Sequence, residues 1–126
     1  MEAPVAITLE CGQTVKLIAQ NVEGKVDVAF AKPGSAPPAL LQAAAEAKAK
    51  TDAETEAKKN AEANITTQQN EINCVPEHCN KVAPPPTSRV TTAGTATSTL
   101  NPDRSGTAHG TAKAEGKGTI KCQPAA

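Results

Sequence analysis

Aromatic side chains are almost missing: Phe30 is the only one in 126 residues, and there is no Trp or Tyr. The platforms on which single-stranded nucleic acids stack their bases are therefore lacking. Net charge is missing too, because thirteen basic side chains balance thirteen acidic ones. Without a surplus of Lys and Arg, no counterion release drives the chain onto a phosphate backbone, and no nucleic-acid partner is expected. No stretch approaches the roughly 20 apolar residues that span a bilayer, so no membrane span is expected. Large apolar groups are few. Val, Ile, Leu and Phe number nineteen, against twenty-four Ala. Burial contributes roughly 1.5–3 kcal/mol per large side chain, which makes a thin core for a chain of this length. Disulfides or subunit association must reinforce it.

Catalytic signatures are also lacking. The chain has no G-x-S-x-G elbow, no H-E-x-x-H helix and no G-x-x-x-x-G-K-[ST] loop. Asp27, Asp52 and Asp103 are the only aspartates, and they form no calcium loop. The two histidines, His78 and His109, stand apart in sequence and read as solvated surface residues. Neither an enzyme nor a cofactor is expected, and no small-molecule substrate is evident.

What is present begins with four cysteines: Cys11, Cys74, Cys79 and Cys122. An even count beside a weak core reads as a disulfide framework in an oxidising compartment, whether extracellular, cell-surface or periplasmic. Zinc, with His78 as a further ligand, is the rival, but C-x4-C departs from the usual close ligand spacing. The spacing favours Cys74 with Cys79, which leaves Cys11 with Cys122. Met-Glu-Ala-Pro-Val at the start has neither a basic n-region nor an apolar h-region. Met1 is therefore expected to stand in place of a leader.

Three blocks follow one another within a single expected domain, 1–126. In residues 1–36, Val5, Ile7, Leu9 and Cys11 alternate with polar or small residues, and so do Val26, Val28 and Phe30. That period of two predicts three short strands, with a break at Glu23-Gly24. Residues 37–73 lack Gly and Pro after Pro38 and are rich in Ala, Glu, Lys and Gln, which predicts one helix about 50 Å long. Thr51-Asp52-Ala53-Glu54 is a candidate capping box that would split it. Glu46–Lys50 and Glu54–Lys58 are candidate i,i+4 pairs. Alanine recurs every fourth residue from Ala45 to Ala61, and such a row drifts about 40° per step around a regular helix instead of holding one face. Asn64-Ile65-Thr66 is a glycosylation sequon within the helix.

The last block opens with a disulfide loop and Pro-rich linker over 74–88, including Pro84-Pro85-Pro86. From Thr107 to Cys122, odd positions are polar and even positions are Ala, Gly, Ile or Cys. Arg89 to Leu100 alternates similarly, and Asn101-Pro102-Asp103-Arg104-Ser105-Gly106 is a dense turn signal. A long β-hairpin over 89–122 is the reading. The Thr95-x-Thr97-x-Thr99 row resembles the threonine arrays of ice-binding β-faces, which repeat over many strands where this one occurs once. Its β propensity accounts for it.

The expected fold class is α+β: a small antiparallel sheet or sandwich from both ends of the chain, with one long Ala-rich helix inserted. Gly94, Ala96, Ala108, Gly110, Ala112 and Ala114 form a small-residue face that admits a close neighbour. The expected neighbour is another copy, making the chain a structural subunit of a filament, pilus-like fibre or coat. The alternative is a monomeric secreted or periplasmic binding module using the helix or the Thr-rich face.

Overall fold

A computed structural model describes residues 7–34, 38–75 and 79–124, and the fold is α+β. Its elements are β1 (Ile7–Leu9), β2 (Thr14–Phe30), α1 (Pro38–Glu71), β3 (Ile72–Cys74), β4 (Cys79–Val82), β5 (Thr87–Leu100) and β6 (Gly106–Pro124). β6 is the central strand. β2 runs antiparallel along one side of it, and β4 and β5 lie antiparallel on the other. β1 pairs in parallel with β3, forming a separate short ladder.

The first block departs from the expected three strands. Thr14 to Phe30 is one strand, and Glu23-Gly24 does not interrupt it. Instead the ladder shifts register between Ala19 and Val22, where Asn21 has a φ of 56°. Asn tolerates that left-handed region better than most residues, which suits it to a bulge. Gly24 serves packing. A Cβ there would collide with the Ala53 carbonyl oxygen and the Ala57 amide of α1.

The helix is continuous, as the lack of Gly and Pro predicts. The proposed capping box does not form. The Thr51 hydroxyl donates backward to the Ala47 carbonyl at 3.2 Å, as a mid-helix threonine does. The row from Ala45 through Ala49, Ala53, Ala57 and Ala61 to Ile65 and Gln69 is buried throughout, with no member more than 6% exposed. Six steps of a four-residue row carry it roughly 240° around a regular helix. A flat sheet could not follow that path. The sheet therefore winds with the row, in keeping with the right-handed twist of long strands.

Matching rises explain why α1 and β6 fit over so long a contact. Four helical residues advance about 6 Å, and two strand residues about 6.7 Å. Gly110 meets Ala49, Gly116 meets Ala61 and Gly118 meets Ile65, so twelve helical residues span six strand residues, and four span two. Between these points, Ala53, Ala57 and Ala61 cluster with Ala112 and Ala114, while Ala45 and Ala49 cluster with Ala108. One inward residue of β6 meets each residue of the helical row. Only Gly and Ala leave room for the backbones to approach this closely.

This arrangement corrects the assignment of Gly94, Ala96, Ala108, Gly110, Ala112 and Ala114 to a contact with another subunit. Ala108, Ala112 and Ala114 are buried within the single chain, and Ala96 packs against the Ala45–Ala49–Ala108 cluster. A Cβ on Gly94 would strike the Lys50 carbonyl, and one on Gly110 the Ala49 carbonyl. The chain's own helix occupies the face.

The cysteine pairing is corrected as well. Cys11 bonds to Cys79 and Cys74 to Cys122, with Cα–Cα distances of 5.5 and 5.6 Å. The short spacing between Cys74 and Cys79 misleads, because they belong to different ladders: β3 pairs with β1, and β4 with β6. β3 leaves the helix at the inner side of the sheet, where Cys122 points inward beside Leu9, Ile72 and Ile120. Cys11 sits in the turn after β1, closed by Gln13 N–H donating to the Glu10 carbonyl at 3.1 Å. His78 and the rest of 76–78 lie outside the described residues. The four cysteines and several of the larger aliphatic side chains thus share one end of the fold, while Ala and Gly fill its middle.

The Pro-rich linker leaves a gap in one sheet edge. β4 ends opposite Lys121 and β5 starts opposite Lys117, so residues 83–86 pass Gly118–Ile120 unpaired. Prolines have no N–H to give a ladder, which suits them to this place. Gln69 fills the gap from inside: its Nε2 donates to the Thr119 and Pro84 carbonyls, both at 3.0 Å. It is the one buried polar or charged side chain among the described residues. Gln69→Ala is expected to cost about 1–3 kcal/mol by leaving those carbonyls unpaired, measurable by urea unfolding.

Candidate functional site: the outer face of the sheet

Because α1 covers one face of the sheet, function must be sought on the other face and at the strand edges. Both edges are tied to the helix by polar side chains at regular spacing. On the β5 side, Glu46, Glu54 and Glu62 recur every eight residues. They accept from the Ser98 hydroxyl, the Gly94 N–H (2.7 Å) and the Ser88 hydroxyl respectively. On the β2 side, Asn60 donates to the Glu23 carbonyl at 3.1 Å and Gln68 to the Ile18 carbonyl at 3.3 Å. Glu46 and Glu54 thus reach the strands, while the Lys50 charge still acts on Glu46, and among the described residues the close i,i+4 ion pair is Lys48–Asp52 at 2.9 Å. Asn64 of the sequon is exposed, and its Oδ1 accepts from Gln68 Nε2 at 2.7 Å.

The Ser98 hydroxyl, with Gln42 also donating, holds the Glu46 carboxyl below its ordinary 4.5. Hydrogen bonds from the Ser105 hydroxyl and backbone likewise hold Asp103, in the β5–β6 turn, below 3.8. Both folded values are depressed relative to the unfolded chain. Their stabilisation is therefore present above the ordinary carboxylate values and lost as pH falls through the lowered ones. Thermal scans should show the melting temperature steady above about pH 5 and falling below about pH 4. In Ser98→Ala the acid-side decline should be shallower.

Outward positions are polar because the period-two alternation sends Ala and Gly to the helix. His109 stands opposite Asp27 of β2 and Thr97 of β5. Its Nδ1–H donates to Asp27 Oδ1 at 2.7 Å. The Thr99 hydroxyl lies 2.9 Å from Nε2 and donates to it when the ring is neutral. His109 lies at the surface, as its sequence context predicts, and is also the middle of a network across three strands. Hydroxyl, imidazole and carboxylate stand in the order of a nucleophile, base and orienting group. Here they line neither the concavity at Lys16–Ile18 nor the one at Glu23 and Lys25. Next to this row, Thr95 and Thr111 share a hydrogen bond at 3.2 Å, and further along Glu115 accepts Arg89 at 3.3 Å and Lys117 at 3.4 Å.

A concavity of about 510 Å³ lies beside the edge gap. Ile18, Pro84 and Pro85 give it apolar walls, Lys16 and Lys117 add positive charge, and Leu17 between the outward residues turns inward to the end cluster. Ile18 is 49% exposed. It points outward because it pairs with Lys117, an outward position of β6. Sequence reasoning missed this site, since the pairing of β2 with β6 brings together residues about a hundred positions apart.

Among the described residues no group of three or more His, Cys, Asp or Glu could hold a metal ion, and no helix is long and apolar enough to cross a membrane. No protein-family model matches this chain, and no curated protein or solved structure matches it either.

Proposed function

We propose that the chain is a disulfide-clamped binding module that works outside the reducing cytosol and presents the outer face of its sheet to a partner. One observation carries this reading: among the described residues the sheet is covered on one side only, and the open side bears polar groups already ordered by cross-strand hydrogen bonds such as Asp27–His109–Thr99. Ordering side chains before contact lowers the entropic cost of binding.

Self-assembly as a filament or coat subunit loses its main support, because the small-residue face belongs to the chain's own core. Both long edge strands also carry register shifts, at Ala19/Val22 in β2 and between Val90 and Thr95 in β5. Such bulges blunt strand edges against pairing with another chain.

Sedimentation at two widely separated concentrations, followed by a panel of immobilised glycans and peptides, tests the proposal. A monomer is expected at both concentrations, with binding that Thr97→Lys abolishes and Lys58→Glu, on the exposed side of α1, leaves intact. Filaments, or binding indifferent to Thr97→Lys, would overturn it.

A further inference from the structure

The groove beside the edge gap carries a more specific reading, which rests on the binding-module proposal and names a ligand for part of the same face. We infer that it holds a free aliphatic carboxylate of medium chain length.

The apolar part is built by the fold. Three consecutive prolines cannot continue the edge ladder, so the chain swings away over 83–86 and Pro84 and Pro85 become a wall. Opposite them stands Ile18, a large apolar side chain among polar outward neighbours: Lys16, Lys117 and Thr119 surround it in the β2–β6 register. Thr87 and Thr119 supply hydroxyls at the lining. Gln69 closes the inner side, so the groove opens outward instead of running through the sheet.

The charge selects the head group. Among the described residues, two lysines and no carboxylate line the groove. Lys117 is partly neutralised by Glu115 at 3.4 Å, whereas Lys16 has no carboxylate within ion-pair distance among the described residues. An apolar trough with one uncompensated ammonium at its wall suits a ligand with an apolar body and a single negative charge. The volume lies within the roughly 300–1,000 Å³ typical of small-ligand sites. The trough is short and confined to one end of the sheet, which favours a single free acid over a membrane surface.

Decanoate, kept below its micellar concentration, is the probe, and decanol is its neutral match. Titration calorimetry on the intact, oxidised chain should give one saturable site for decanoate, with decanol binding about tenfold more weakly. Lys16→Glu should weaken decanoate binding by a similar factor, and Ile18→Asn should weaken both ligands. Lys16 and the Ile18 side chain are exposed, so both variants should keep the wild-type circular dichroism spectrum. The wild-type comparison of decanoate with decanol needs no variant at all. No saturable decanoate binding, equal affinity for the two probes, or binding to anionic vesicles without binding to the free acid would overturn the inference. If decanoate fails while another ligand still binds in a manner sensitive to Thr97→Lys, the ligand assignment falls and the module reading stands. If the protein forms filaments, the module reading falls first.

Discussion

Gly110→Leu is expected to unfold the protein rather than dissociate it. A single Cβ at this position already collides with the Ala49 carbonyl oxygen and closely approaches its carbonyl carbon, and leucine adds three more carbons. The obstacle is helix backbone, which cannot rotate away as the end of a side chain would. Overpacking in a core typically costs 1–3 kcal/mol, and backbone contact puts this case at about 3 kcal/mol or more. Neighbouring alanines are equally confined, so little relaxation is available along the seam. Gly34→Ala is the control: nothing lies within 4 Å of a Cβ there, and its effect should stay within about 0.5 kcal/mol. Urea unfolding of both variants, with circular dichroism in water, separates the outcomes. Retained secondary structure with near-normal stability in Gly110→Leu would show that the helix does not rest on β6 there.

Loss of the Cys74–Cys122 bridge should have an effect of similar size. The bridge joins residues 48 apart, and Cys122 is fully buried beside Ile120 and Ile72. Closing a loop of that length stabilises by about 4 kcal/mol in the chain-entropy model. The Cys11–Cys79 bridge spans 68 residues and has the same entropic basis, but Cys11 lies in an exposed turn. The Cys74→Ala/Cys122→Ala variant should therefore be the less stable of the two double variants, since it also removes packing from the end cluster. Peptide mapping without reduction should yield a Cys74–Cys122 linked peptide. A Cys74–Cys79 peptide would contradict the pairing.

The outcome at the cysteines shows where local reading stops. Spacing along the chain joined Cys74 to Cys79, but the partners were decided by which side of the sheet each strand approaches. That depends on long-range contacts between β3, β4 and β6. Elements with their own periodicity were legible. The helix expected over 37–73 occupies Pro38–Glu71, and the hairpin expected over 89–122 forms from β5 and β6 around the anticipated turn. Alternation in β6 correctly separated its inward from its outward residues.

Meaning was harder to read than pattern. The small residues of β6 and the alanine row of α1 were both visible, yet they were assigned to a neighbour and to a drifting stripe. Each is the other's partner. The missing step was the near equality of the two rises, which lets a winding row follow a twisted strand. The eight-residue spacing of Glu46, Glu54 and Glu62 was also present in the sequence, and marks the side of the helix that fastens β5. The Asp27–His109–Thr99 network and the groove at Ile18 both require the β2–β6 register, which no local pattern encodes.

The central claim is that α1 lies on β6 of the same chain, one helical-row residue to each inward strand residue. Isotope-filtered nuclear Overhauser spectroscopy tests it most directly, using a mixture of labelled and unlabelled protein. Contacts of Ala49 with Gly110, Ala61 with Gly116 and Ile65 with Gly118 are expected within single molecules. Their appearance only between labelled and unlabelled chains, or their absence, would contradict it.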